Sequence, residues 1–252
     1  KLCFQYCPTS GYPPLVSSLE KYLAEKGLPL QENKVLITTG SLQAISIITQ
    51  EFVNKGDVIL TENPCFVGAL TVFETYGAKI LGIPMDEQGI IIPALKEMMS
   101  SLPQKPKFLY LTPNYHNPAG LIYSPERKKA LLETLAGTGI ILLEDDAYND
   151  LYFDEAEKHL TKPMKAMDAK GVEIVYTGSF SKILGPGFRL GYMLCSPEIF
   201  DKAETIKQAL DACTSNFNQI LANEFMVQGK LAPYLTFLRK EYAERKTLLL
   251  TC

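Results

Sequence analysis

The feature that most constrains this chain is a regular alternation of short apolar runs with longer helical patterns. The runs Val35–Thr38, Val58–Thr61, Lys79–Ile83, Phe108–Thr112, Ile140–Glu144, Ile174–Thr177 and Gly191–Cys195 read as buried strands. Helical patterns cover Leu15–Lys26, Leu42–Phe52, Phe66–Tyr76, Ile92–Ser100, Pro125–Gly137, Pro197–Leu210 and Asn218–Gln228. A last helix begins near Pro233 and continues as Tyr234–Leu250. Breakers such as Gly40, Gly56-Asp57, Asn63-Pro64, Gly77, Asn117-Pro118 and Gly137-Thr138-Gly139 punctuate the series. This is the pattern of βαβ units built around a largely parallel sheet. In such sheets ligands bind beyond the carboxyl ends of the strands, on loops leading into helices. The residues that follow each strand therefore carry the functional information.

Composition narrows the classes. A chain of 252 residues that is 46% hydrophobic can bury a substantial core, enough for one large domain or somewhat more. Its net charge of −3, with lysines and arginines dispersed, leaves no electrostatic footprint for nucleic acid or an anionic membrane. No apolar run is long enough to span a bilayer and no signal-peptide pattern occurs, so a soluble, cytoplasmic protein is expected. The six cysteines (Cys3, Cys7, Cys65, Cys195, Cys213, Cys252) form no Cys-x-x-Cys pair, which favours free thiols in a reducing cytosol. Only His116 and His159 are available for a triad or a metal site, and neither sits in a matching motif. The chain starts at Lys1 without a methionine and stops at Cys252 inside a helical pattern, as a piece of a longer protein would.

Four strand ends stand out. After the run ending at Thr177 comes Ser179-Phe180-Ser181-Lys182, followed by Gly185-Pro186-Gly187-Phe188-Arg189-Leu190-Gly191-Tyr192. A lysine in a tight small-residue frame beside an arginine is poorly placed for solvation, which suits a nucleophile. Taken alone, a solvated lysine after an edge strand explains it as well. After Ile140–Leu143 come Glu144-Asp145-Asp146-Ala147-Tyr148. A carboxylate ending an apolar strand is costly unless it meets a cation. A helix-capping aspartate or the acidic strand end of a P-loop NTPase has the same look, but the phosphate-binding Gly-x-x-x-x-Gly-Lys-Ser/Thr motif is missing. Asn117 precedes Pro118 and is pushed to an extended conformation, from which its side chain can project, although Asn-Pro is also an ordinary turn. Gly40-Ser41-Leu42 opens a helix whose free N–H groups suit a phosphate, or else Ser41 is a simple cap. Together, a candidate Schiff-base lysine, a carboxylate for a pyridinium nitrogen and a phosphate cradle are what pyridoxal phosphate requires.

With those motifs in place, the sequence resembles the class I/II aminotransferases of pyridoxal-phosphate fold type I. It is most similar to the 2-aminoadipate and aromatic aminotransferase branch and to the related domain of MocR-type regulators. The resemblance runs from Tyr6 to the final helix. It implies a three-layer α/β/α large domain with a mostly parallel central sheet over residues 1–232. Residues 233–252 would then begin the helix leading to a small C-terminal domain.

Residue roles follow from the same resemblance. Lys182 would form the Schiff base and shuttle the proton, with Asp145 on the ring nitrogen. Asn117 and Tyr148 would hydrogen-bond the ring's 3-oxygen, making Tyr148 catalytic with Lys182 and Asp145. Gly40, Ser41, Leu42, Ser179, Ser181 and Arg189 would hold the phosphate, Arg189 through its planar fork and permanent charge. Leu42 stands where this branch often has glutamine, so its contact would be through the backbone N–H. Phe66 would stack on the cofactor where many relatives have tyrosine, unless it is an ordinary core aromatic. Tyr6 would reach the phosphate of the partner subunit in a homodimer. The substrates would be an amino acid and a 2-oxo acid. The resemblance implies that the arginine clamping the substrate carboxylate would belong to the small C-terminal domain beyond this chain, and a solvated helix face is expected for Arg239 and Arg245. Two other functions share the pattern: a pyridoxal-phosphate-sensing regulatory domain, and a lyase on the same fold.

Overall fold

Side chains in each central strand enter different cores in alternation, and this builds the layers. The computed structural model describes residues 2–251. The strands are β1 (Lys34–Thr38), β2 (Val58–Asn63), β3 (Lys79–Asp86), β4 (Gly89–Ile90), β5 (Phe108–Leu111), β6 (Ile141–Asp145), β7 (Ile174–Ser179) and β8 (Gly191–Cys195). The helices are α1 (Pro13–Glu25), α2 (Ser41–Phe52), α3 (Val67–Thr75), α4 (Ile92–Ser101), α5 (Pro125–Leu135), α6 (Pro197–Asp211), α7 (Asn216–Val227) and α8 (Leu231–Thr251). Phe108 and Tyr110 of β5, Leu143 of β6 and Val175 of β7 face one core, shared with Ile45 and Ile48 of α2, Phe73 of α3 and Ala203 of α6. Their neighbours Leu109, Leu142 and Ile174 face the opposite layer, against Leu95 of α4 and Leu131 of α5. That second layer continues across the other half of the sheet as Leu15, Leu19 and Leu23 of α1, Ala222 of α7 and Leu231 of α8.

The sheet order is β1-β8-β7-β6-β5-β2-β3-β4. Strands β3, β2, β5, β6 and β7 run parallel, as expected. Strand β8 runs against both β7 and β1. Hydrophobic patterning carries no strand direction. The short connection from β7 to β8 holds no α-helix, so it cannot make the crossover that parallel pairing needs. The two-residue β4 is too brief to leave a periodic signal.

Helix starts follow local rules. Pro125 opens α5, and Ser124 Oγ caps it by accepting from the Arg127 N–H at 3.1 Å. The last helix begins at Leu231 and docks through Leu231 and Leu235, while Leu248, Leu249 and Leu250 are exposed. The expected solvated face of α8 holds only in part. Arg239 Nε donates to the Asp150 carbonyl at 2.7 Å and its guanidinium lies 3.7 Å from the Tyr152 ring centroid. A planar cation on an aromatic face gains both packing and charge–quadrupole attraction, which explains why it leaves solvent. Among the described residues no helix is long and apolar enough to cross a membrane. Cys3, Cys7, Cys65, Cys195 and Cys213 are free thiols, and Cys252 lies outside the described residues.

Candidate active site

The ends of β5, β6 and β7 and the starts of α2 and α3 surround a cleft of about 290 Å³. Gly40, Ser41, Leu42, Phe66, Asn117, Asp145, Tyr148, Ser179, Ser181, Lys182 and Arg189 all line it, joined by Thr112, Ala147 and Pro186. Every nominated site residue except Tyr6 therefore shares one cavity. Tyr6 is 85% exposed on the N-terminal arm and lies off this cleft. A larger groove of about 450 Å³ runs past Lys26, Asp150 and Arg239, where Lys26 lies 2.7 Å from Asp150.

One end of the cleft is built for an anion. Helix α2 starts with no side-chain cap, leaving its first N–H groups free at Ser41 and Leu42. Gly40 has φ 82°, and a Cβ there would sit 2.7 Å from Arg189 Nη2. On the other side, a Cβ on Gly191 would fall 2.5 Å from Gly40 C and Ser41 N. Glycine is thus required at both positions for the turn to pass between Arg189 and β8. Arg189 itself is left-handed, at φ 48° and ψ 45°. Its Nη1 lies 3.5 Å from Ser181 Oγ, and the Ser181 N–H donates to Ser179 Oγ at 3.1 Å. Neither Arg189 nor Lys182 forms an ion pair with a carboxylate among the described residues. A free guanidinium, two hydroxyls and a helix N-terminus together favour a phosphate.

The other end holds a carboxylate. Strand alternation separates the acidic run: Glu144 turns to the α5 side, where it accepts from the Met164 and Lys165 N–H groups at 2.7 and 2.9 Å. Asp146 accepts from Asn114, Asn149 and Tyr176 at 3.0, 2.8 and 2.9 Å. Asp145, 4% exposed, faces the cleft and accepts from Tyr110 Oη at 2.9 Å and Thr177 Oγ1 at 3.1 Å. Both donors are neutral. Burial pushes the Asp145 carboxyl up to about 6, against the lowering effect of those two hydrogen bonds. Burial first, and then Asp145 beside it, keep the Tyr110 phenol well above its ordinary value and hence a donor. A protonated ring nitrogen would supply the cation that this carboxylate lacks.

Between the two ends lie the amine and the polar walls. Lys182 Nζ is 5.4 Å from the centroid of the Tyr148 ring. The small-residue frame does not shield it as expected, and Lys182 is exposed. The turn after β7 is built from glycine and proline, which carry too little side chain to cover a lysine reaching over an open cleft. Asn117 is half-buried on a loop held by its neighbour: His116 Nδ1 accepts from the Ala119 N–H at 3.0 Å. His116 Nε2 lies 3.1 Å from Glu62 Oε2, off the hydrogen-bonding direction. Glu62 also accepts from Thr112 N and Oγ1, at 2.9 and 3.0 Å, and from Tyr123 Oη at 2.7 Å, tying β2 to the end of β5. The Phe66 ring folds over Gly68, where a Cβ would collide with it, and forms an aromatic wall. Leu42, 38% exposed, adds an apolar side chain to its backbone N–H.

Sequence reasoning missed Tyr110, Thr177, Thr112 and Glu62. The first three read as members of apolar strands, and Glu62 as part of the turn before Pro64. The strand period alone does not mark them: it is the register of β5 and β7 against β6 that puts Tyr110 and Thr177 on the Asp145 face of the sheet.

A mixed sheet of this order, with lysine, aspartate and an anion cradle at its strand ends, has the architecture of the fold type I pyridoxal-phosphate transferases. The chain belongs to the aminotransferase class I and II family, whose model matches residues 1–251. Among curated relatives, it is 34% identical to aromatic-amino-acid aminotransferase 1 of Thermococcus litoralis, over 98% of this chain and 59% of that protein. It is also 34% identical to the 2-aminoadipate transaminase of Thermus thermophilus, over 99% of this chain and 61% of that protein. The uncharacterized HTH-type transcriptional regulator YisV of Bacillus subtilis is 32% identical over 97% of this chain and 49% of its own length. The kynurenine aminotransferase of Pyrococcus horikoshii, solved in complex with PMP, superposes with a TM-score of 0.94 at 36% identity, over 99% of this chain and 62% of that one. The chain thus spans about three-fifths of the length of the aminotransferases it matches.

Proposed function

We propose that this chain is the cofactor-binding large domain of a pyridoxal-phosphate-dependent aminotransferase, exchanging an amino group between an L-amino acid and a 2-oxo acid. The observation that carries the reading is the pairing of opposites in one cleft. A buried carboxylate, Asp145, and an arginine beside a free helix N-terminus, each without an ion-pair partner among the described residues, line one cleft with the Lys182 amine. These residues fit a molecule with a protonated ring nitrogen, a carbonyl and a phosphate. When bound, pyridoxal phosphate supplies an electron-accepting ring for the charge left when a bond at the substrate Cα breaks.

The chain's own residues do the rest. Asp145 would hold a proton on the ring nitrogen through a charge-assisted hydrogen bond. Lys182 offers the nucleophilic amine and later holds and moves a proton at Nζ. Asn117 and Tyr148 would hydrogen-bond the ring's oxygen, Phe66 would pack against the ring, and Gly40, Ser41, Leu42, Ser179, Ser181 and Arg189 would bind the phosphate. Residues 233–252 lead into a small domain that completes the substrate site, a reading supported by the greater length of the relatives. The exposed arm carrying Tyr6 serves the cleft of a partner subunit in a homodimer, and the free thiols favour a cytoplasmic setting.

The second reading, a regulatory domain that binds the same cofactor, is favoured by the similarity to YisV. One assay separates them. Full-length protein loaded with pyridoxal phosphate is offered a panel of L-amino acids with 2-oxo acids, and new amino acid is quantified. Product formation supports the enzyme; cofactor uptake without product from any pair supports the regulator; no uptake overturns both.

A further inference from the structure

Helix α6 carries a lysine with no access to water, and its partners lead to the phosphate end of the cleft. Lys207 is 0% exposed and donates to Asp211 Oδ1 at 2.7 Å, Thr214 Oγ1 at 2.9 Å and Gln43 Oε1 at 3.2 Å, using all three of its N–H bonds. Burying an ammonium costs several kcal/mol unless every hydrogen finds an acceptor, so a lysine kept here invites a specific explanation. Asp211 Oδ2 accepts from Gln43 Nε2 at 2.7 Å and from Thr39 Oγ1 at 2.9 Å. Burial raises the Asp211 carboxyl, but the bonds from Lys207, Gln43 and Thr39 outweigh it and hold the group below its usual range. Gln43 therefore sits between a pure donor and a pure acceptor, and its amide can take only one orientation. In that orientation Gln43 Oε1 also accepts the Thr39 N–H at 2.8 Å. Thr39 immediately precedes Gly40.

We infer that Lys207 and Asp211 are positioning residues for phosphate binding: they lock the polarity of the Gln43 amide, which pins Thr39 and holds the Gly40-Ser41-Leu42 turn open to an anion. Without Lys207, Gln43 Oε1 loses one of its two donors and Asp211 loses its ammonium, so the amide is held only through Thr39 and an uncompensated carboxylate, and the turn loosens. The inference rests on the phosphate-binding reading of the cleft but concerns residues that do not touch it.

The test compares pyridoxal phosphate with pyridoxal, which lacks the phosphate, on wild type, Lys207→Met and the isosteric Asp211→Asn. Each variant should weaken pyridoxal phosphate about tenfold, the loss of one charge-assisted hydrogen bond, and leave pyridoxal within about twofold. In the cofactor-free protein, amide hydrogen exchange across residues 38–43 should quicken in both variants. Equal weakening of the two ligands, no weakening of either, or unchanged exchange would overturn the inference. If wild type binds neither ligand, the phosphate reading of the cleft fails, and the exchange rates still decide whether Lys207 sets the turn. Asp211→Asn keeps the test decisive if Lys207→Met does not fold.

Discussion

Replacing Asp145 by asparagine should make the cofactor-free protein more stable at pH 8 while abolishing its cofactor chemistry. Asp145 is buried, accepts two hydrogen bonds from neutral hydroxyls and has no cationic partner among the described residues, and its carboxyl is raised from 3.8 to about 6. The shift of roughly two units, at 1.36 kcal/mol each, amounts to about 3 kcal/mol. A carboxylate raised on folding contributes stability that is fully present below its unfolded value, near 3.8. That stability is lost as the pH rises through the folded value, near 6. At pH 8 the full penalty of about 3 kcal/mol applies, at pH 5 about half of it, and by pH 4 little remains. Asparagine keeps the shape and can still bond Tyr110 and Thr177 after their hydroxyls rotate, at a cost of about 1 kcal/mol for imperfect geometry. The expected gain is about 2 kcal/mol at pH 8, shrinking toward zero near pH 5. Urea unfolding of both proteins at pH 8 and pH 5 measures it, and other buried carboxyls such as Glu144 largely cancel in the difference. An asparagine variant less stable than wild type at pH 8, or a difference independent of pH, would refute the view of Asp145 as a carboxylate held in wait for a cation.

Two further substitutions probe the anion end. Gly191→Ala forces a Cβ to 2.5 Å from the Gly40 and Ser41 backbone, so it should cost about 1–3 kcal/mol in urea unfolding and weaken pyridoxal phosphate. Unchanged stability would mean that the turn is not packed against β8. Arg189→Lys keeps the charge but loses the planar fork, and should weaken pyridoxal phosphate about tenfold in a titration while sparing pyridoxal. Equal affinities for pyridoxal phosphate would remove Arg189 from the cradle.

The order of elements and most of the cleft were legible in the sequence because each depends on local signals. Apolar runs bounded by breakers marked the strands, and their carboxyl ends marked Lys182, Asp145, Asn117 and the Gly40 turn. What escaped was non-local. The reversed direction of β8 depends on a connection too short for a helix, not on any periodicity. Tyr110 and Thr177 are indistinguishable from core residues until β5 and β7 are set beside β6. Lys207 and Asp211 carry no signal in the sequence, and only the approach of α6 to the start of α2 reveals an enclosed network. The exposure of Lys182 went unseen for a related reason: residue sizes in a turn do not say whether the cleft above it is open.

The central claim is that Lys182 is the amine that engages the cofactor, and covalent trapping tests it most directly. Full-length protein is incubated with pyridoxal phosphate, reduced with borohydride, digested and mapped by mass spectrometry. One pyridoxyl-modified peptide is expected, containing Lys182, and it should disappear in Lys182→Ala. Modification spread over other lysines, or an undiminished adduct in Lys182→Ala, would contradict it.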